Sequence, residues 1–153
     1  MNRLGSLVGM LILGFILIGV TIQSAYSEGN IKGIIMEDYI KSLVENLFNS
    51  YNITPDKIRL VTDIDHLNLD VDTVIPLGLI INELLSNSLK YAFKEKEQGH
   101  IYVGLKENNK NLELKIKDNG CGFPTGWNSQ QNNSFGYSLV NAFAQKLKAK
   151  LDI

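Results

Sequence analysis

The sequence predicts an α+β domain preceded by a single hydrophobic helix, and three observations carry that reading. An uncharged run of 24 residues, Leu4 to Ser27, opens the chain. Beyond it, apolar residues recur at three- and four-residue intervals from Met36 to Tyr51, the period of an amphipathic helix. Two strict alternations then follow, Ile101 to Lys106 and Leu112 to Lys117, with the period of strands. The 153 residues amount to about one domain. Fifteen Lys and Arg against 16 Asp and Glu leave a net charge of -1, so no basic surplus directs the chain to nucleic acid. The single cysteine, Cys121, excludes an internal disulfide and a four-cysteine zinc site. Stability must therefore come from an apolar core.

Taken as a helix rising 1.5 Å per residue, Leu4 to Ser27 would span roughly 36 Å, enough for a hydrocarbon core of about 30 Å. The chain then divides into a membrane anchor over residues 1–30 and a soluble domain over 31–153, which keeps 14 basic and 15 acidic residues. Arg3, the apolar run Leu7 to Ile22 and the small residues Ala25 and Ser27 also satisfy a secretory signal peptide. Arg3 before the segment and Lys32 and Lys41 after it give a slight bias toward a cytoplasmic C-terminal side.

The elements follow in order. Tyr39, Ile40, Leu43, Val44, Leu47 and Phe48 make the apolar stripe of a first helix over Met36 to Tyr51. A polar turn containing Pro55 leads to a strand over Ile58 to Ile64, a turn at Asp65 to Asn68 and a short apolar stretch to Val71. Asp72 or Thr73 is placed to cap a second helix, with Pro76 in its first turn and its end near Phe93. The two alternations, joined at Asn108 to Lys110, read as an antiparallel hairpin with one buried face. Asp118-Asn119-Gly120-Cys121-Gly122 follows, then a loop to Asn133 rich in Gly, Ser, Asn and Gln. A helix over Phe135 to Leu147 and a strand at Ala149 to Ile153 close the chain. Asp63, Asp65, Asp70 and Asp72 lack the spacing of a calcium loop and read as turn and cap chemistry.

On the second helix, Leu77, Ile80, Ile81, Leu84 and Ser88 form one stripe, while Glu83, Asn87 and Lys90 share another face. Alone, that polar face fits a solvated surface, and the Asp-Asn-Gly-Cys-Gly loop fits a common turn. Together and in this order they resemble the nucleotide-binding domain of the GHKL ATPases, above all the catalytic domain of a sensor histidine kinase. Ile75 to Phe93 resembles that family's N box, Asp118 to Gly122 its first glycine box, and Ser134 to Val140 a second, degraded one. The similarity extends upstream through Tyr26 to Tyr51.

The resemblance implies a two-layer α/β sandwich, a mixed sheet covered by helices on one face, with ATP between helix and lid. It implies that Asn87 holds Mg²⁺ and that Glu83 orients the attacking nucleophile or accepts its proton. Lys90 would neutralise phosphate charge, Tyr91 would lie near the adenine or ribose, and Asp118 would accept the adenine amino group. Gly120, Gly122 and Gly136 would allow close backbone approach, Pro124 to Phe135 would form the lid, and Trp127 within it packs on the nucleotide or on the core edge. The implied partners are a dimerisation domain with its phosphoacceptor histidine in trans, a response regulator and a second copy in a homodimer. The implied location is the membrane, with the domain on the cytoplasmic side.

Neither His66 nor His100 has the neighbours of that family's phosphoacceptor motif, and Ser134 and Ser138 stand where its second glycine box has glycines. The chain stops before the strands that usually complete such a sheet, as a C-terminally truncated product would. A non-catalytic binding or dimerisation module of the same fold is the alternative, and an ATPase using Glu83 as general base for water is a third.

Overall fold

The computed structural model describes residues 34–94, 98–109, 111–123 and 134–152. In chain order these form β1 (Ile34–Ile35), α1 (Met36–Ser50), β2 (Ile58–Ile64), β3 (Asn68–Leu69) and α2 (Val71–Asn87), which runs on as a π turn (Ser88–Ala92). β4 (Gly99–Asn108), β5 (Asn111–Asp118) and α3 (Phe135–Lys146) complete the order. The hydrophobic segment expected over residues 1–30, the lid residues 124–133 with Trp127, and Ile153 lie outside the described residues. Among the described residues, no helix is long and apolar enough to cross a membrane.

The main sheet has the order β2-β4-β5, and it is mixed. β2 pairs parallel with β4 from Ile58↔Gly99 to Ile64↔Leu105, so the chain needs a crossover between them, which β3 and α2 supply. β4 and β5 pair antiparallel from Ile101↔Asp118 to Asn108↔Asn111. That register makes a tight hairpin, and Asn109 takes the left-handed φ of 50° that such a turn requires. β1 and β3 form a separate two-stranded antiparallel ribbon. The hairpin and the α1 stripe are where the periodicity puts them, whereas in α2 the expected stripe residue Leu84 is only half-buried and Glu83, expected on the other face, is buried.

One core joins the helices to the inner face of the sheet. Ile58, Ile101, Val103 and Leu105 from the strands pack with Met36, Ile40, Leu43 and Leu47 of α1 and Val74, Leu79, Ile81 and Leu85 of α2. On the outer face Lys106 pairs with Asp63 and, at 3.0 Å, with Asp65, and the Tyr102 hydroxyl donates to Asp63 at 3.3 Å. The Glu107 amide and then Lys106 hold the Asp65 carboxyl below the ordinary carboxylate range. The layers are thus those of a two-layer α/β sandwich. α1 and α2 approach closely because Gly78 has no side chain: a Cβ there would come within 2.0 Å of the Tyr39 hydroxyl.

Two boundaries differ from the expectation. α2 is capped by Asp70, whose carboxylate accepts the Thr73 amide at 2.9 Å and the Thr73 hydroxyl at 3.1 Å. The cap lies upstream of Asp72 and Thr73 because this aspartate already satisfies a first-turn donor, so Pro76 falls past the first turn. Ala149 to Asp152 form no strand. Lys148 adopts a left-handed φ of 54°, and the Ala149 amide turns back to the Ala144 carbonyl at 2.8 Å. That donor closes the end of α3 instead of a ladder.

Candidate functional site

α2 is buried around most of its circumference. Asn82, Glu83 and Ser86 are buried along with Leu79, Ile81 and Leu85. Glu83 is only 7% exposed, which removes the solvated-face reading for this residue. Asn87, one turn on, donates its amide nitrogen to the Glu83 carboxylate at 3.2 Å. With the amide nitrogen facing the carboxylate, the Asn87 carbonyl oxygen is turned away from it.

The first turn of α3 lies against the same carboxylate. A Cβ at Gly136 would come within 1.9 Å of Glu83 Oε1. The glycine expected to admit a ligand's backbone approach therefore leaves room for Glu83 in this structure. Ser134 caps α3 by accepting the Tyr137 amide at 3.3 Å, which fixes that helix start beside α2. Glu83, Asn87 and an α-helix N-terminus thus converge at one place.

A second cluster forms one to two turns further along. Here α2 widens into the π turn Ser88–Ala92, a departure common at functional sites. The Ala92 carbonyl receives the Cys121 amide at 2.9 Å, and the Tyr91 carbonyl lies 3.5 Å from the Cys121 thiol. A Cβ at Gly120 would meet the Ala92 side chain at 2.3 Å and its carbonyl oxygen at 2.5 Å, so only glycine lets the loop come this close.

Asp118, the last residue of β5, is held at both carboxylate oxygens. The Gly120 amide donates to Oδ1 at 2.9 Å and the Ser88 hydroxyl to Oδ2 at 2.7 Å. Asn119 ties the loop to the start of β4, accepting the His100 amide at 2.8 Å. Asp118 itself remains exposed, while Ser88 is 9% exposed.

The structure brings Glu83, Asn87 and Gly136 together, and Asp118 with Gly120. Lys90 and Tyr91 both ride on the π turn, whose wider winding moves Lys90 off the strict α-helical line through Glu83 and Asn87. Tyr91 is 57% exposed and stacks under the Lys94 ammonium, 5.2 Å from the ring centre. Gly122 has a φ of 71° with open space around it, a conformation that favours glycine. Among the described residues, no group of three or more His, Cys, Asp and Glu is arranged to hold a metal.

Two residues escape the sequence reading. Periodicity places Ser88 in the apolar stripe, yet its hydroxyl meets Asp118; a polar residue directly after Asn87 is the available signal. Tyr51, just past α1, directs its phenol toward Ser86, although the pair does not reach hydrogen-bond geometry. Burial raises the Tyr51 pKa above the ordinary phenol value, Ser86 partly offsets this, and the nearby Glu83 carboxylate adds to it.

A helix-covered mixed sheet, with an Asn-bearing helix clamped to a glycine loop, defines the class of protein. Residues 72–153 match the family described as histidine kinase-, DNA gyrase B-, and HSP90-like ATPase, and the chain belongs to that family. It is 25% identical over 97 residues to blue-light-activated histidine kinase 2 of Erythrobacter litoralis, covering 63% of this chain and 28% of that protein. It is 29% identical over 100 residues to the sensor histidine kinase PdtaS of Mycolicibacterium smegmatis, covering 65% of this chain and 19% of that one. The chain thus spans less than a third of the length of either relative. Among solved structures, the histidine kinase domain of the Erythrobacter litoralis EL346 blue-light-activated histidine kinase superposes with a TM-score of 0.74. That alignment covers 99% of this chain and 79% of the other at 20% identity, a likeness of fold.

Proposed function

We propose that this chain is the ATP- and Mg²⁺-binding catalytic domain of a sensor histidine kinase, which transfers the ATP γ-phosphoryl group to a histidine supplied elsewhere. The observation that carries the reading is the pair of clusters along one helix: a buried carboxylate and amide against a helix N-terminus, and an exposed, clamped aspartate. A helix N-terminus favours phosphate, and a fixed carboxylate accepts an amino group.

On this reading Asp118 accepts the adenine amino group, and Gly120 and Gly122 let the loop backbone lie against the base. Tyr91 covers the adenine or ribose, and Lys90 offsets phosphate charge. The Asn87 carbonyl, turned away from Glu83, suits a hard oxygen-seeking cation. A Mg²⁺ ion held there would supply neutralisation of phosphate charge. Glu83 accepts the proton released as an imidazole nitrogen bonds to the γ-phosphorus and the bond to ADP breaks. Its burial against Gly136 keeps water from competing for that carboxylate.

ATP is cytosolic, so this reading requires the cytoplasmic side for the domain and counts against a secretory signal peptide at Leu4 to Ser27, leaving the membrane anchor as the proposed role of that segment. The acceptor domain, a response regulator and a homodimeric partner complete the proposed system. A second reading, a non-catalytic module of this fold, is favoured by Ser134 and Ser138 and by a chain whose two histidines, His66 and His100, lack the acceptor motif.

Calorimetric titration of ATP into the detergent-solubilised full chain, with and without Mg²⁺, tests the reading beside Asn87→Ala. Mg²⁺-dependent binding that disappears in the variant is expected. A folded wild type that binds no ATP overturns the reading. Phosphate transfer from ATP to a histidine-bearing dimerisation domain separates the kinase from the non-catalytic module.

A further inference from the structure

We propose that Ser88 is a positioning residue that sets nucleobase selectivity through Asp118; the inference rests on the ATP-binding reading above. Ser88 begins the π turn and is nearly enclosed, and its hydroxyl lies 2.7 Å from Asp118 Oδ2 across 30 residues of sequence. A hydroxyl has one proton, and an ionised carboxylate has none to give, so Ser88 is the donor. The Gly120 amide occupies Oδ1 in the same way. With both oxygens engaged by fixed partners, the carboxylate has a single orientation, and rotation away from the base costs two charge-assisted hydrogen bonds.

The chemistry of the resulting edge is one-sided. The one Ser88 proton is committed to Asp118, so what remains on both residues toward the opening is lone pairs. Such an edge takes a base that presents an amino group and rejects one that presents a carbonyl oxygen at the same position. A site built to hydrogen-bond a group discriminates against the analogue lacking it, because the polar atoms that the bound base covers are then left unmatched. Adenine carries the 6-amino group; hypoxanthine carries a 6-oxo group and is otherwise the same size. Were Ser88 absent, Oδ2 would lose its anchor, and the carboxylate would turn or take up water with less penalty for the oxo base.

The alternative role is simple packing of α2 against the glycine loop, which already has the Cys121–Ala92 hydrogen bond and the Gly120–Ala92 contact to hold it. Packing alone does not distinguish an amino from an oxo substituent. The ratio of ATP to ITP affinity is therefore the diagnostic readout.

The test is titration of ATP and of ITP, each with Mg²⁺, into the full chain as wild type, Ser88→Ala and Ser88→Thr, with circular dichroism confirming the fold. Ser88→Ala is expected to weaken ATP about fivefold while moving ITP less than about twofold, so the ratio falls by most of that factor; Ser88→Thr restores it. Should Ser88→Ala fail to fold, Ser88→Cys keeps the volume with a weak donor and is expected to lower the ratio in the same direction. An unchanged ratio in the folded variant, or an equal loss for both nucleotides, overturns the proposal. A folded wild type that binds neither nucleotide overturns the ATP reading itself and the selectivity proposal with it.

Discussion

The two ends of the site on α2 are built differently. At the Asp118 end, hydrogen bonds from two separate elements hold the glycine loop: the Ser88 hydroxyl and the Ala92 carbonyl from the two ends of the π turn, and the His100 amide of β4. At the Glu83 end, the described contacts are one hydrogen bond of 3.2 Å from the same helix and the bare α-carbon of Gly136. The first end is held by the protein's own partners; the second leaves an acceptor carboxylate and an outward-turned amide oxygen, which on the proposed reading engage the nucleotide and its metal. A preorganised end suits recognition, since little ordering remains at binding. An end completed by its ligand suits chemistry, where contacts are best reserved for the transition state.

The largest expected effect breaks the preorganised end. Gly120→Ala drives a methyl group into the Ala92 backbone carbonyl, which sits 2.5 Å from that position. The loop must move, at a cost of about 1–3 kcal/mol in stability. Nucleotide affinity should fall by about 100-fold, equivalent to about 2.7 kcal/mol of binding free energy, since the loop carries Asp118 with it. Near wild-type affinity by titration would show that the clamp does not govern recognition.

Paired substitutions then sharpen the contrast. Asp118→Asn replaces an acceptor by an amide and should weaken ATP about 10-fold or more, with the protein still folded. Glu83→Gln keeps size and polarity and should leave ATP affinity within about threefold while lowering phosphotransfer by about 10² or more. A Glu83→Gln protein that loses binding as severely as Asp118→Asn would erase the division of labour between the two ends.

Much of the fold is legible in the sequence. The i, i+3, i+4 stripe in α1 and the alternation in β4 depend on burial of one face, and burial is what periodicity records; in β5 the alternation survives with Leu114 and Ile116 half-buried and Leu112 exposed. α2 is harder, because a helix enclosed on nearly every side has no exposed face to mark its phase, and Glu83 reads as surface. The site residues can be lined up by motif, but not their mutual contacts. That Gly136 serves Glu83 depends on how α3 meets α2, which no local spacing encodes. The π turn is invisible for a similar reason: it lies where the Ala92–Cys121 and Ser88–Asp118 bonds tie the helix to a distant loop, whereas Ser88 to Ala92 by themselves continue a helical pattern.

Helix packing beneath the site gives a smaller and separable effect. The Tyr39 hydroxyl is buried and, among the described residues, without a hydrogen-bond partner. Tyr39→Phe should therefore raise stability by about 1 kcal/mol in denaturant titrations. Gly78→Ala should lower it despite the better helix propensity of alanine, because the new methyl meets the Tyr39 ring and hydroxyl. In the double variant part of that loss should return, as the nearest clashing atom is gone. Additive effects would show that the two positions do not share the α1–α2 contact.

The smallest expected effect bears on the Glu83 end and needs alkaline pH. Tyr51 is held neutral chiefly by burial, with the Glu83 carboxylate reinforcing it, so its folded-state pKa lies above the unfolded value of about 10. A group raised on folding contributes stability that is complete below the unfolded pKa and is lost as pH rises toward and through the folded one. Tyr39, raised by burial in the same direction, adds a parallel loss. Between about pH 8 and pH 11, the span that brackets the unfolded phenol value, denaturation midpoints should therefore fall less in Tyr51→Phe than in wild type, the difference isolating Tyr51 from Tyr39. The same variant should leave ATP affinity at the lower pH unchanged, because Asp118 and its clamp are elsewhere. An identical alkaline loss in both proteins would place the whole effect on Tyr39 and remove Tyr51 from the surroundings that matter to Glu83.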